Sequence, residues 1–258
     1  MKAIDQAAQI IRDARRIVAF TGAGISVESG IPPFRGPDGL WATLDPTFLE
    51  LGYFLAHPKD SWRQIREIFY EFFGAAKPNA AHEALAKLEV AGKLDAIITQ
   101  NIDNLHQEAG NRVVHEYHGT AQRMVCLTCG HVLSSTEVSL KELPPRCSRD
   151  SCGGLLKPDF IFFGEGIPPS AAHASMDASA NCDVMLVIGT TGEIMPASAL
   201  PHVAKEAGAT IIEVNPGSST YTPKITDVHL QGKATTMMTA LIDALGIGIS
   251  DPPRDRTS

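Results

Sequence analysis

The feature that most constrains how this chain can fold is a set of four cysteines in two close pairs. Cys126 and Cys129 form a C-x2-C pair, and Cys147 and Cys152 form a C-x4-C pair farther along the chain. Zinc binds four thiolates in a tetrahedron, and such a site has no open position for catalysis. The pattern therefore predicts one structural Zn²⁺ bound by these four residues. His131 could replace one of the sulfurs, and the spacing leaves this alternative open.

Composition and charge narrow the class of protein. The chain has 258 residues and a formal net charge of −7, which disfavours a dedicated nucleic-acid binder because such proteins present a basic face. An acidic balance is compatible with a lysine-rich protein segment as the partner. Neither a secretory signal nor a stretch long enough to span a membrane is seen. We therefore expect a cytoplasmic protein that binds neither nucleic acid nor membrane.

Short apolar runs alternate with helical stretches along the chain. Continuous apolar runs are typical of strands buried on both faces of a parallel sheet, and their alternation with helices indicates βαβ units. The runs lie at residues 17–20, 94–99, 184–189 and 210–214, and the helical stretches at 4–16, 80–89 and 197–206. The sequence therefore predicts an α/β fold, with a Rossmann-like parallel sheet and helices on both faces.

Two stretches interrupt this alternation and are predicted to form a small lobe. Residues 36–77 are aromatic-rich and helical in pattern, and residues 122–157 hold the cysteine pairs. We expect the first to be a helical insertion and the second a zinc-ribbon insertion. The discontinuous main domain would then comprise residues 1–35, 78–121 and 158–249, and residues 250–258 are expected to be a disordered tail.

A glycine-rich turn follows the first predicted strand. Glycines there allow the backbone to approach a pyrophosphate, although the dinucleotide fingerprint GxGxxG fails because Val27 occupies its third glycine position. The turn consists of Gly22, Ala23, Gly24, Ile25 and Ser26. Phe34 and Arg35 follow in a loop rich in proline and glycine, where we expect both to be exposed. Phe34 could cover a bound ring there, and Arg35 could neutralise a phosphate.

Polar residues also follow the strand at 94–99. Gln100, Asn101, Ile102 and Asp103 lie just past its end, and the alternation of Asn101 and Asp103 would point both to one side of a pocket. His106, at helical spacing from Asp103, is expected to be structural.

Two histidines farther along are candidates for a general base. His115 and His118 flank Glu116 and Tyr117, and His118 precedes a turn that would expose it. Either imidazole could accept a proton near neutral pH, and the spacing does not choose between them.

Taken together, these motifs resemble the sirtuins, a family of NAD-dependent protein-lysine deacylases. The resemblance covers nearly the whole chain, and its motifs lie at residues 22–26, 30–36, 99–106, 118–119, 162–165, 189–191 and 215 and at the two cysteine pairs. It implies that NAD is a co-substrate, that one structural Zn²⁺ is present, and that the partners are acetylated proteins bound as extended peptides. A monomer is expected.

The resemblance also implies roles for individual residues. His118 would be the general base, and Asn101 and Asp103 would act with it in the nicotinamide and ribose pocket. Phe34 would shield the reactive sugar carbon, and Arg35 with the glycine turn would hold phosphates. The other implied NAD contacts are Gln100, Ile102, Gly189, Thr190, Thr191, Asn215, Pro216, Gly217 and Ala234. The implied contacts to the substrate backbone are Phe162, Phe163, Gly164 and Glu165.

The implied reaction transfers the acyl group of acyl-lysine to ADP-ribose. The acyl oxygen attacks the ribose carbon as nicotinamide leaves, His118 activates a ribose hydroxyl, and water releases free lysine and O-acyl-ADP-ribose. Members that remove acidic acyl groups carry Tyr-x-x-Arg in the aromatic-rich insertion, and residues 65–70 have no such pair. We therefore expect acetyl or other neutral acyl groups to be preferred.

Two further departures from the family pattern bear on the NAD contacts. Pro33 stands where many members have Asp, and Thr190 and Thr191 stand near a position where Ser-Leu is common. Side-chain contacts to the ribose are therefore expected to differ. The alternatives are a mono-ADP-ribosyltransferase that uses the same NAD pocket and a non-enzymatic zinc-ribbon interaction protein.

Overall fold

The computed structural model of the chain describes residues 2–34 and 39–248. Arg35 and the predicted tail at 250–258 lie outside the described residues. The strands are β1 (Ile17–Thr21), β2 (Leu94–Thr99), β3 (Val114–Glu116), β4 (Gly119–Cys126), β5 (Val132–Ser134), β6 (Leu156–Phe160), β7 (Val184–Ile188), β8 (Thr210–Asn215) and β9 (Val228–Gln231). The α-helices are α1 (Lys2–Asp13), α2 (Leu40–Thr43), α3 (Leu51–Ala56), α4 (Pro58–Ile65), α5 (Ala80–Val90), α6 (Leu105–Glu108), α7 (Pro169–Ala180), α8 (Leu200–Glu206) and α9 (Ala234–Leu245). A π-helix, Arg66–Phe72, continues α4.

The larger sheet is parallel and has the strand order β3-β2-β1-β7-β8-β9. Thr21 at the end of β1 pairs with Thr99 on one side and with Ile188 on the other, so these carboxyl ends are in register. The predicted α/β fold is confirmed. The edge strands β3 and β9 were not expected, because they are short and only partly buried.

Helices cover both faces of this sheet, because successive strand residues point to opposite faces. On β1, Ile17 and Ala19 join an apolar cluster with α1, α5 and α9, whereas Val18 and Phe20 join a second cluster with α8. Burying a side chain such as Phe20 contributes about 1.5–3 kcal/mol to stability. Within the described ranges, the helices are too short or too polar to cross a bilayer.

A smaller antiparallel sheet, in the order β5-β4-β6, carries the cysteine-rich segment. The helices between β1 and α5 pack on it through a shared apolar cluster that includes Trp62, Phe69, Met124 and Phe160. Trp62 is fully buried, and its indole N–H donates a hydrogen bond of 2.9 Å to the carbonyl oxygen of Leu156 on β6. The aromatic-rich and cysteine-rich stretches therefore share one core.

The order of strands reverses at β1. The chain passes from β1 to β2 on one side of the sheet and later continues from β7 on the other. In open α/β sheets, ligands bind beyond the carboxyl ends of the strands at this kind of switch point. A ligand site is therefore expected at the ends of β1, β2 and β7.

Gly119 gives a test of the junction between β4 and β6. Its φ is +75°, and a Cβ there would approach the carbonyl oxygen of Asp159 and lie 2.8 Å from Cα of Phe160. We expect Gly119→Ala to lower the free energy of unfolding by about 3 kcal/mol or more, because a backbone clash is added to the cost of a left-handed residue. Urea unfolding measures this loss.

Gly246→Ala is the matched control. Gly246 has a φ of +70°, but a Cβ there would meet no atom within 4 Å in the described part of the chain. Only the conformational cost remains, so we expect a loss of about 1 kcal/mol. Equal losses in the two variants would contradict the close approach at Gly119.

Candidate active site and metal centre

Two glycine turns meet at the switch point of the sheet. The backbone N–H of Gly22 donates to the carbonyl oxygen of Ile188 (3.0 Å), and that of Gly24 donates to Gly189 (2.8 Å). A Cβ on Gly24 would lie 2.7 Å from Cα of Gly189, a separation that real Cβ atoms do not tolerate. The contact between the two turns therefore requires glycine at this position, whether or not a ligand binds there.

Ser26 is the centre of a buried polar network. The side-chain amide of Asn101 donates to Ser26 Oγ and to the carbonyl oxygen of Gly22, both at 3.2 Å. Ser26 Oγ donates in turn to Asp103 Oδ2 at 2.7 Å, and the N–H of Leu105 donates to Asp103 Oδ1. Asn101 and Asp103 therefore lie on the same side of the chain, as their alternation predicted.

Burial determines the protonation of the groups around Ser26. Burial raises the pKa of Asp103, although its hydrogen bonds from Ser26 and Leu105 oppose the shift. Burial also lowers the pKa of His82 to about 4, so this imidazole is neutral. The N–H of Asn79 donates to His82 Nδ1, which leaves the proton on Nε2, 3.5 Å from Ser26 Oγ.

His82 did not emerge from the sequence. It lies three residues after the helix cap Asn79 and on the buried face of α5. The sequence pattern of such a helix does not distinguish a functional histidine from one that only packs in the core. His106 lies beside it, with the ring centroids 5.0 Å apart, and its Nε2 is 2.9 Å from Thr21 Oγ1. Its complete burial agrees with the expected structural role.

The geometry separates His118 from His115. His115 lies within β3, paired with Ile98, whereas His118 follows that strand with Nδ1 3.0 Å from the carbonyl oxygen of Gln100. Nδ1 must therefore carry the proton, and Nε2 is left with a lone pair. Burial lowers the pKa of His118, and the hydrogen bond to Gln100 opposes this. A neutral imidazole with an open Nε2 can accept a proton at neutral pH.

Thr190 contacts loops on both sides of the space bordered by the loops after β1, β2, β7 and β8, which we call the strand-end cleft. The Gln100 side chain donates to Thr190 Oγ1 at 3.2 Å, and the Asn215 side chain donates to the carbonyl oxygen of Thr190 at 2.8 Å. Thr191 is exposed next to it. The loops after β1, β2, β7 and β8 are thus joined along one edge of the sheet.

Three further expected NAD contacts lie on the β8 and β9 side of this edge. Pro216 and Gly217 are exposed directly after β8, and a Cβ on Gly217 would meet no atom of the described residues within 4 Å. Ala234 begins α9 and is buried. Ile102 lies on the other side of the site, where its carbonyl oxygen accepts a hydrogen bond from Ala121.

Phe34 is less exposed than the sequence suggested. Its ring centroid lies 5.4 Å from that of Trp41 and 6.5 Å from that of Phe73. The expectation of an exposed side chain was wrong because the helical insertion contributes these aromatic neighbours. Arg35, expected to bind phosphate, is outside the described residues.

The segment at residues 162–165 already has backbone partners. The N–H of Phe163 donates to the carbonyl oxygen of Leu49 at 2.9 Å, and the N–H of Leu51 donates to that of Phe163 at 3.1 Å. Gly164 is exposed, with a φ of +94°, and its backbone groups have no hydrogen-bond partner in the part of the chain that the structure describes.

The four cysteines meet at one point. The Sγ atoms of Cys126 and Cys152 are 3.6 Å apart and those of Cys129 and Cys147 are 3.9 Å apart, and all four lie within 4.8 Å of one another. A zinc tetrahedron with bonds of about 2.3 Å has sulfurs about 3.8 Å apart. The tetrad therefore fits a structural Zn²⁺. Among the described residues, the cluster contains no nitrogen of His131, so the histidine alternative is not supported.

The sequence model of the Sir2 family matches residues 22–196. The chain belongs to the Sir2 family. Among its relatives, an NAD-dependent protein deacylase of Aeropyrum pernix is 44% identical over 257 residues, covering 96% of this chain and 100% of the relative.

Solved Sir2 structures share the fold. A Sir2 homologue–NAD complex superposes with a TM-score of 0.85 at 37% identity and covers 94% of this chain and 93% of its own. A Sir2–p53 peptide–NAD+ complex has a TM-score of 0.86 at 33% identity, with 94% and 98% covered. The family is thus shown along nearly the whole length of the chain.

Loss of one thiolate should remove the metal. We expect Cys129→Ser to lower the bound zinc well below the value of about one ion per chain that a site of four cysteines holds, and to lower the melting temperature because metal binding contributes to folding. Cys129 is exposed, so the change has little effect on packing. Metal analysis and thermal unfolding measure both effects.

Cys182→Ser is the matched control for this variant. Its thiol is buried in the main domain and donates to the carbonyl oxygen of Ser179. The zinc content of this variant should equal that of the wild type. A Cys129→Ser protein that retains full zinc would exclude the tetrad as the ligand set.

Proposed function

We propose that this protein is an NAD-dependent protein-lysine deacetylase that transfers the acetyl group to ADP-ribose. The observation that carries the proposal is His118, whose open Nε2 lies at the strand-end cleft of a Sir2 fold. Support also comes from relatives named NAD-dependent protein deacylases, which match this chain over nearly their full length. A cytoplasmic location and a monomeric state belong to the proposal as expectations from the sequence.

The residues around the cleft suit NAD. The glycine turn at Gly22 and Gly24, the buried polar pair Asn101 and Asp103, and the open end of β8 at Gly217 lie along one edge of the sheet. We assign the glycine turn to the phosphates, with Arg35 as an expected partner. NAD supplies an ADP-ribosyl group that can accept the acyl group once nicotinamide has left.

The remaining NAD contacts fall into two groups by their place on the sheet edge. On the β2 side, Gln100, Asn101, Ile102 and Asp103 would bind the nicotinamide and its ribose. On the β7, β8 and β9 side, the adenosine half would contact Gly189, Thr190, Thr191, Asn215, Pro216, Gly217 and Ala234. Phe34, packed against Trp41 and Phe73, would cover the sugar carbon.

His118 performs the proton transfer in this proposal. Its Nδ1–H is held by the carbonyl oxygen of Gln100, which orients the ring and fixes Nε2 as the acceptor. Nε2 would take a proton from a ribose hydroxyl. Its lowered pKa keeps the base unprotonated at neutral pH.

The substrate would bind as an extended peptide at residues 162–165. Because the backbone of Phe163 is paired with Leu49 and Leu51, the main-chain groups of this segment that lack a partner among the described residues are those of Gly164 and the carbonyl oxygen of Glu165. An extended peptide can use such groups as an added strand. We also propose that residues 36–77 and 122–157 form the small lobe on the other side of this cleft, since their apolar side chains share one cluster.

The direct test uses an acetyl-lysine peptide with and without NAD. Mass spectrometry should detect nicotinamide, free lysine peptide and O-acetyl-ADP-ribose only when NAD is present. His118→Ala should lower kcat at least about a hundredfold, because a general base contributes that much or more. The acid limb of kcat/KM should lie below about pH 6.5, the ordinary pKa of histidine, because burial lowers the pKa of His118.

His115→Ala is the matched control, since His115 lies on the adjacent strand with its backbone in the sheet. It should retain activity within a few-fold of the wild type. ADP-ribosylated protein as the main product, without O-acetyl-ADP-ribose, would favour a mono-ADP-ribosyltransferase. Full NAD consumption by His118→Ala would refute the assignment of the base.

The preferred acyl group can be predicted from the π-helix. Arg66 forms an ion pair with Glu71 and donates to the carbonyl oxygen of Leu140, and the ring of Tyr70 stacks on Trp62. Arg66 is therefore paired within the described residues, and Phe73, not arginine, stands three residues after Tyr70. Acetyl-lysine peptides should therefore have a higher kcat/KM than the matched succinyl-lysine peptides, and comparable values for the two would contradict this expectation.

A further inference from the structure

Lys157 is a buried cation on β6, and every proton of its ammonium group has an acceptor. The side chain of Lys157 is only 4% exposed. Its Nζ donates to the carbonyl oxygens of Pro158 (2.9 Å) and Phe160 (2.8 Å) and to Glu165 Oε2 (2.9 Å). The same nitrogen lies 4.2 Å from the centroid of the Phe162 ring. One side chain thus connects β6 to the segment that follows it.

Glu165 closes this segment into a compact loop. Its Oε2 accepts a hydrogen bond of 2.7 Å from the backbone N–H of Phe162 in addition to the one from Lys157. The N–H of Glu165 donates back to the carbonyl oxygen of Phe162 at 3.0 Å. The loop at residues 162–165 is therefore fixed at both ends, and Lys157 lies beneath it.

The outer side of the same loop faces the proposed peptide. Phe163 is 48% exposed, and Gly164 is exposed with unpaired backbone groups in the described chain. A strand that adds to such an edge needs the N–H and C=O groups held at a fixed spacing. Gly164 is therefore held through its two neighbours: Phe163 pairs with the backbone of Leu49 and Leu51, and Glu165 is bound by Lys157 and Phe162.

We infer that Lys157 is a positioning residue for the substrate peptide: with Glu165 it holds the 162–165 loop in the conformation that presents Gly164 to an acyl-lysine peptide. This inference rests on the proposed function and deepens it. Lys157 touches neither the peptide nor NAD in this arrangement. Its effect should therefore appear in peptide affinity and leave NAD affinity and chemistry nearly unchanged.

The energetics favour a positioning role. Burial lowers the pKa of Lys157, and the hydrogen bond and charge of Glu165 oppose that shift, so the cation is retained by its partner. Removing one member of a buried pair leaves the other charge without compensation, whereas removing both often restores a neutral interior. The two carbonyl oxygens bound by Lys157 would also lose their donor.

The test measures KM for an acetyl-lysine peptide, KM for NAD and kcat in four variants. Lys157→Met and Glu165→Gln should each raise the peptide KM about tenfold, because a misplaced binding group loses affinity. The KM for NAD and kcat should change less than about twofold. The double variant should be no worse than Lys157→Met, since neighbouring effects are not additive. Lys157→Arg, which keeps the charge and several donors, should recover most of the affinity.

Lys77→Met is the matched control, because Lys77 is exposed and its ion pair with Glu108 is long, at 3.8 Å. This variant should match the wild type in all three parameters. Melting temperature and zinc content are measured for every protein, and peptide affinity is also measured by fluorescence anisotropy without turnover. If Lys157→Met does not fold, Glu165→Gln and Lys157→Arg carry the comparison.

The outcomes separate this inference from the proposed function. If the wild type deacetylates the peptide but the Lys157 and Glu165 variants keep the wild-type peptide KM, the inference fails and the function stands. Equal losses in the KM for peptide, the KM for NAD and kcat would also overturn it, since they indicate a general structural role. If the wild type neither binds nor deacetylates the peptide, both fail.

Discussion

The site depends on the contact between the glycine turns that follow β1 and β7. Gly24 donates to Gly189 at 2.8 Å, and no side chain fits between them. Because the parallel strands are in register, this contact sets the distance between the loops on either side. Gln100 and Asn215 can then both reach Thr190. The reversal of strand order creates the cleft. Because Gly24 and Gly189 have no Cβ atoms, the loops on its two sides can approach to hydrogen-bonding distance.

Above this contact, the buried polar groups are paired with one another. A buried hydroxyl or amide without a partner costs about 1–3 kcal/mol, and Ser26 avoids that cost by accepting from Asn101 and donating to Asp103. The neutral His82 points its remaining proton at the same hydroxyl. The donors are thus fixed in direction as well as in place, which preorganises the pocket before any ligand enters.

The sequence predicted those parts of the molecule whose signal is local. Apolar runs located β1, β2, β7 and β8 within a residue or so, because strands buried on both faces are nearly continuous apolar runs, even with Asp95 in β2 and Glu213 in β8. Cysteine spacing predicted the tetrad because the two members of each pair are close in sequence, so that their thiols meet through local structure. The edge strands β3 and β9 and the roles of His82 and Lys157 were not predictable. Each depends on exposure or on contacts with residues whose proximity only the fold establishes.

His118 lies where the two sheets join, and it makes hydrogen bonds to segments that follow strands of each sheet. Its ring is held by Gln100, which follows the large sheet. Its backbone carbonyl accepts the N–H of Ile161, which follows β6 of the small sheet, at 2.9 Å. Gly119, the next residue, already begins β4. The direction of Nε2 is therefore set by the strand ends that would bind the dinucleotide, while the position of the backbone is set by the segment proposed to bind the peptide. The proposed base would stay aligned with both reactants only while the two sheets keep their relative position, and the close packing at Gly119 contributes to that position.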